Sequence, residues 1–287
     1  MAAVRVRLAD GRLHLQHGPI DLVIEAFGDR SSVEQAYGQA WQRFQDILEA
    51  LVSELALLRS PVRDPYPLAR GPVARRMVAA VWPHREIFVT PMAAVAGAVA
   101  DEMLAAMLAR NTLARAYVND GGDIAVHVAS GEKFEAGIVD NPFQPEIRSS
   151  VRIASSCGIA TSGWRGRSQS LGIADAVTAI ARDAATADAA ATLLANAVNV
   201  DHPAIRRLPA REVKEDSDLG EAPVTVAVGI LPQSAVGQAL EGGLRKARQM
   251  QAGGLIEAAY LSLQGCAAVC APRGLGRGGV RLKLGAS

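Results

Sequence analysis

A chain of 287 residues with a hydrophobic share of 49% can bury one large core or two modest ones, which excludes a disordered chain. Thirty Lys and Arg against 29 Asp and Glu leave a net charge of +1, so no global field draws it to nucleic acid or to an acidic membrane. Cys157, Cys266 and Cys270 are too few for a disulfide framework, and no His or Cys pair near Cys266 and Cys270 completes a zinc set.

The N-terminal run MAAVRVRLADGRLHLQHG alternates polar and apolar residues as a strand does and lacks the apolar stretch of a secretory signal. Two short strands are expected in residues 3–27. SSVEQ then offers Ser31 or Ser32 as a helix cap, with Glu34 or Gln35 three residues on. In the long helix expected next, Tyr37, Trp41, Phe44, Leu48, Leu51, Leu55 and Leu58 recur four and three apart, and Ser60-Pro61 ends it. A second helix is expected over residues 72–81. VTPMAAVAGAVADEMLAAMLARN reads as a third, apolar nearly all round and therefore buried, with Asp101 as its anomaly. Pro91, Asp101 and Glu102 interrupt the clean run that a membrane helix requires, so a soluble, cytoplasmic protein is expected.

ARAYVNDGGDIAVHV sets Asn119-Asp120-Gly121-Gly122-Asp123 between two strand-like runs. Paired glycines allow the positive φ of a hairpin turn, and the same bare backbone can line a ligand. Strands in FEAGIVDNP and VRIASSCGIATSG lead into WRGRSQS. There Thr161, Ser162 and Gly163 offer hydroxyls and backbone N–H groups beside Arg165 and Arg167, a set able to hold a phosphate and equally common in solvated turns.

ARDAATADAAATLLANAV, residues 181–198, is an alanine-rich helix interrupted by Asp188, Thr192 and Asn196 at intervals of four, hence on one face. Asp188 and Thr192 can hold two corners of a Mg²⁺ octahedron. Equally, Thr186 can cap the helix, with Asp188 favoured in the first turn by the helix dipole. LPAREVKEDSDLGEAP reads as a charged surface connector, VTVAVGIL as a strand, residues 234–251 as a helix and GLIEAAYLSLQG as a final apolar element. GLGRGGVRLKLGAS has the composition of a loose end, so residues 1–272 are expected to form one domain and 273–287 a flexible tail. The order of elements argues for an α+β fold, with helices packed on a mostly antiparallel sheet.

Taken in order, AGAVADEML, VNDGGDI, FEAGIVDNP, IATSG and ARDAATADAAATLLANAV resemble the FAD:protein FMN transferases, the ApbE-like superfamily, in its shorter cytosolic branch; the likeness covers about residues 30–200. The resemblance implies an ApbE-like fold of two related α+β halves, with Mg²⁺ held by Asp188 and Thr192. It assigns Asn119, Gly121, Gly122 and Asp123 to the loop lining a flavin nucleotide, and Thr161, Ser162 and Gly163 to the loop before the pyrophosphate region, with Arg165 just beyond it as a further candidate to bind the cofactor. It also matches Gly97 and Asp101 to the Gly and Asp of the first family helix, and makes Asp101 and Asp175 candidate catalytic carboxylates. The implied activity is transfer of FMN from FAD to a threonine of an acceptor protein, with FAD or FMN and Mg²⁺ as cofactors. Neither nucleic acid nor membrane is an expected partner, and self-association is left open. The family lysine is Ala96 here, its tyrosine is Ala98, and aligning Asp175 to the His-x-x-Asp-Pro loop puts Gly172 at the histidine and Ala176 at the proline. Without that general base the alternatives are a non-catalytic nucleotide-binding accessory protein, or an enzyme on a different small molecule in the same fold.

Overall fold

The computed structural model describes residues 2–139, 147–272 and 280–284, with residues 138, 139, 147–149 and 280–284 described by backbone alone. Strand β1 (Val4–Arg7), exposed along its length, leads to β2 (Leu13–His17) and β3 (Ile20–Phe27), in which every second side chain is buried. That alternation is the period of a sheet with one covered face. Helix α1 (Arg30–Phe44) starts at Asp29, whose carboxylate accepts the Ser32 N–H at 2.9 Å. The hydroxyls of Ser31 and Ser32, the expected caps, donate to Asp29 instead, so they support the cap rather than provide it.

The single long helix expected here is three: α1, α2 (Ile47–Ser53) and α3 (Leu55–Leu58). Phe44, Ile47, Leu51 and Leu58 are buried across both breaks, which is why an apolar stripe read from spacing runs through them unmarked. Next comes α4 (Pro72–Val81), with its proline in the first turn, where a missing N–H costs nothing. The buried Glu54 carboxylate, between α2 and α3, accepts the Arg70 and Gly71 N–H groups at 2.7 Å each, just ahead of α4.

Thereafter come α5 (Val95–Leu108), β4 (Arg115–Asp120), β5 (Asp123–Val128), β6 (Phe134–Val139), β7 (Ile147–Ile153), β8 (Cys157–Ser162) and β9 (Ala176–Ala181). They are followed by α6 (Ala184–Ala197), β10 (Ile205–Pro209), α7 (Ala210–Val213), β11 (Pro223–Val228), α8 (Gln233–Ala252), β12 (Ala258–Leu263), β13 (Cys266–Cys270) and β14 (Val280–Leu284). Of the expected tail, residues 273–279 and 285–287 lie outside the described residues, as does the 140–142 end of the strand expected in FEAGIVDNP.

The chain forms two units, one of Met1–Phe134, Ile153–Ala160 and Ala181–Ala189, the other of Glu135–Arg152, Thr161–Ile180 and Ala190–Ser287. In the first, strands run in the order β1-β2-β3-β4-β5-β8, each pair antiparallel, and α5 packs on β4 and β5 with α1 and α4 against it. Its core holds Leu13, Leu15, Leu22, Ile24, Met103 and Met107, all fully buried. Pro91–Leu108 is long and apolar enough to cross a membrane, and half of it is buried within the protein, as in a core helix.

In the second unit β9, β12 and β13 pair antiparallel, with α8 on β12 and β13, beside a β10–β11 hairpin and a three-stranded β14-β7-β6 sheet. Every side chain of β9 and β12 is buried, so these strands read as apolar runs without alternation. The final apolar element of the sequence is thus the first strand and turn of a hairpin, and Cys266 and Cys270 are the two ends of the second strand. The chain folds as α+β, with helices on mostly antiparallel sheet.

Replacing Glu54 by Ala leaves two backbone N–H groups near α4 without acceptors. A loss of about 2 kcal/mol is expected, read as a lower urea midpoint with an unchanged slope.

Candidate functional site

The singled-out residues of the first unit converge where α5 and α6 begin. Asp183, just before α6, accepts the Thr186 N–H at 2.8 Å and so takes the capping place that spacing offered to Thr186 itself. Thr186 is buried inside the first turn. The two preceding donors, the N–H groups of Ala184 and Ala185, are held by the two oxygens of Asp101 from α5, each at 2.9 Å. In return, Asp188 of α6 accepts the Gly97 N–H at 3.1 Å, at the start of α5, where Ala94 in the capping position has no acceptor to offer. Each helix start is therefore satisfied by a carboxylate from the other helix.

This exchange requires the backbones to come very close. A Cβ on Gly97 would overlap the Ala184 carbonyl, and one on Gly158 of β8 would overlap the backbone of Asp183. Ala184, Ala185 and Ala187 are buried, with side chains small enough to permit the approach.

Burial pushes the Asp101 carboxyl up to about 6, against the pull of its hydrogen bonds from Ala185 and Ala184. Asp188 is held well above the usual carboxylate range, first by burial and then by the charges of Asp123 and Asp120, against hydrogen bonds from Gly97 and Ala96. Those two acids flank the turn between β4 and β5, where Asp120 pairs with Asp123, and Gly121 and Gly122 have φ of 64° and 114°. Positive φ at both centres is the geometry of a two-residue hairpin, and the Asn119 side chain closes it by accepting the Gly122 N–H at 2.8 Å. The NDGGD motif is thus a hairpin turn that also sets two acids near Asp188.

Thr192 follows Asp188 by one turn of α6 and retains partial solvent access. Asn196, one turn further, accepts the Leu171 N–H at 2.9 Å and the Ser170 hydroxyl at 3.2 Å, so it ties down a loop. The three-residue stripe therefore divides by role. Among the described residues, no group of three or more His, Cys, Asp and Glu side chains is disposed to hold a metal ion by itself.

In the second unit, Asp175 organises the segment after β8. Its Oδ1 accepts from Arg165 Nε at 2.9 Å and from the Trp164 indole at 3.3 Å, and its Oδ2 accepts the Gln264 N–H at 2.6 Å. The Arg165 guanidinium lies 4.4 Å from the centre of the Trp164 ring, Gly163 packs against the Asp175 carbonyl, and Thr161 shares a 2.8 Å hydrogen bond with Thr178. Ser162 ends β8 with partial exposure.

Gln264, a residue without any motif, sits at φ 47° and bridges the Gly229 carbonyl (2.7 Å) and the Leu231 N–H (3.1 Å) with its amide. Residue spacing does not announce the roles of Asp183 and Asp120 either. Asp183 has a signal, an acid directly before the alanine run; Asp120 lies within the NDGGD run; Gln264 has none. At position 172 a Cβ would overlap the Ala195 carbonyl, so the packing excludes a histidine there as firmly as the sequence omits it.

The ordered motifs mark an ApbE-like chain. A family model described as "AbpE bacteria" matches residues 5–269, and the chain belongs to that family. It is 41% identical over 135 residues to a UPF0280 protein of Methanothrix thermoacetophila, spanning 45% of this chain and 54% of that protein. To a UPF0280 protein of Methanopyrus kandleri it is 37% identical over 172 residues, spanning 57% of this chain and 68% of that protein. The match covers about half the length of most such relatives, 52% in that of Methanothermobacter thermautotrophicus. Among solved structures, the ApbE protein of Thermotoga maritima aligns over 94% of this chain and 96% of its own, at 12% identity and a TM-score of 0.45. The flavinyl transferase ApbE of Pseudomonas stutzeri, in its apo form, aligns over 94% of both chains at 13% identity and a TM-score of 0.43.

Gly97→Ala gains helix propensity but drives a methyl into the α6 backbone, so a net destabilisation of about 2 kcal/mol is expected in urea titration. Asp101 binds its proton more tightly folded, at about 6, than at the ordinary value of 3.8. Its contribution to stability is therefore full at acid pH and lost as pH rises through about 6. Unfolding midpoints measured from pH 4 to 7 are expected to show that fall, and Asp101→Asn to flatten it.

Proposed function

We propose that this chain binds a flavin or adenine dinucleotide together with Mg²⁺, with Asp188 and Thr192 as the metal ligands. The observation that carries the reading is the setting of Asp188 at the start of α5 beside the Asp120–Asp123 turn, where burial first, and then the charges of Asp123 and Asp120, hold its carboxyl well above the usual carboxylate range. A divalent cation relieves such repulsion. The donor chemistry fits: a hard carboxylate oxygen and a hydroxyl one helical turn apart, with water and phosphate oxygens completing the shell, is how magnesium is commonly held. When bound, Mg²⁺ supplies charge neutralisation for a pyrophosphate.

The residues that the family pattern singles out have separate tasks. Gly121 and Gly122 give a turn without side chains along which a nucleotide can lie, with Asn119 fixing its shape. Thr161, Ser162 and Gly163 match the family's loop before the pyrophosphate region, Arg165 beyond them offers a cation for phosphate, and Asp175 keeps Arg165 in one orientation. Transfer of FMN from FAD to a protein threonine is the finer reading suggested by family membership. That step needs a group to take the threonine proton. Gly172 supplies none, while Asp101 and Asp175 have both oxygens engaged by backbone or side-chain donors. Binding without transfer is the reading this geometry favours.

Titration calorimetry with FAD, FMN and AMP, with and without Mg²⁺, tests it. Magnesium-dependent FAD binding is expected, weakened about tenfold or more in Asp188→Asn, which keeps an acceptor for Gly97 but loses the charge. Incubation with a threonine-bearing acceptor protein should leave FAD intact. Flavin-labelled acceptor with released AMP would establish transfer instead, and absence of heat with all three nucleotides would defeat the binding reading.

A further inference from the structure

We infer that Asp101 is a positioning residue for Asp188: by holding the first N–H groups of α6, it sets where Asp188 meets the start of α5. The inference rests on the reading of Asp188 as a metal ligand of a nucleotide site. Its basis is a closed ring of contacts within the first unit. On α5, Asp101 lies four residues after Gly97; on α6, Asp188 lies four residues after Ala184. Asp101 holds Ala184 and Ala185, and Asp188 holds Gly97, so two single helical turns are joined at both ends by carboxylates.

Each bridge constrains a different motion. Sliding α6 along its axis lengthens the Asp101 contacts, and rotating it swings Asp188 away from Gly97. The close contact between Gly97 and Ala184 removes the freedom to tilt. Asp101 thus acts on a ligand through the helix that carries Asp188, and its own oxygens meet backbone N–H groups. With Asp183 on Thr186, all three first N–H groups of α6 are occupied by carboxylates, so this helix start holds no phosphate, and nucleotide phosphates must be held elsewhere.

The test compares full-length wild type with Asp101→Ala, Asp101→Asn and Glu54→Ala. The last removes a two-donor carboxylate from the same unit without touching α6, and so controls for lost stability. Amide hydrogen exchange is read at Gly97, and affinity for FAD with Mg²⁺ by calorimetry. Loss of one such hydrogen bond corresponds to about a tenfold change. Asp101→Ala is expected to speed Gly97 exchange about tenfold beyond the Glu54→Ala control and to weaken Mg²⁺-dependent FAD binding by a similar factor. Asp101→Asn, which keeps one acceptor oxygen, is expected to recover part of both. Gly97 exchange no faster in Asp101→Ala than in Glu54→Ala overturns the inference, as does faster exchange with unchanged FAD affinity. A wild type that binds no FAD with Mg²⁺ defeats the nucleotide reading separately, and the exchange comparison then decides whether Asp101 positions Asp188.

Discussion

Asp101 and Asp188 each cap the helix that carries the other, and much of the first unit follows from that exchange. A helix start presents backbone N–H groups with no partner inside the helix, and at α6 that start is buried among Ala184, Ala185 and Thr186. Water cannot serve donors in such a place, so acceptors must come from the protein. Asp183 supplies one from the adjoining chain and Asp101 supplies two from α5. The small residues follow from the same need. Gly97 and Gly158 leave room for the α6 backbone, and the alanines let it come near enough for a carboxylate on one helix to reach amides on the next.

The arrangement has an electrostatic consequence. Asp101 and Asp188 both shift upward, first by burial and then by neighbouring charge, that of the partly exposed Asp183 on Asp101 and those of Asp123 and Asp120 on Asp188. Hydrogen bonds from the helix starts offset only part of this. What remains is an α6 start whose first three N–H groups are already taken by carboxylates and which is therefore closed to an anion. The Asp175 cluster solves a related problem in the second unit: one carboxylate aligns an arginine, an indole and the backbone of a turn, so the loop after β8 is held by side chains in addition to the Trp164 N–H bond to the Ala174 carbonyl.

Much of the fold is legible in the residues. The strand alternation of β2 and β3, the buried character of α5, the paired-glycine hairpin and the α+β order of elements all rest on interactions between near neighbours in the chain, and these leave periodic traces. Family membership was likewise legible, because ordered short motifs survive where overall identity does not. Helix breaks near Gln45 and Glu54 left no such trace, since one buried stripe crosses them. The β12–β13 hairpin was hidden for a different reason: a strand covered on both faces has no alternation to read.

By itself, then, the sequence determined which elements form, which faces are apolar and which polar residues break the pattern. Only the tertiary structure decided what the anomalous carboxylates do. Asp101 and Ala184 are 83 positions apart in the chain, and Asp188 and Gly97 are 91 apart, so no local spacing could announce that each serves the other's helix. The physical reason is general. Periodicity reports on neighbours along the chain, whereas a buried donor takes whichever acceptor the packing brings to it.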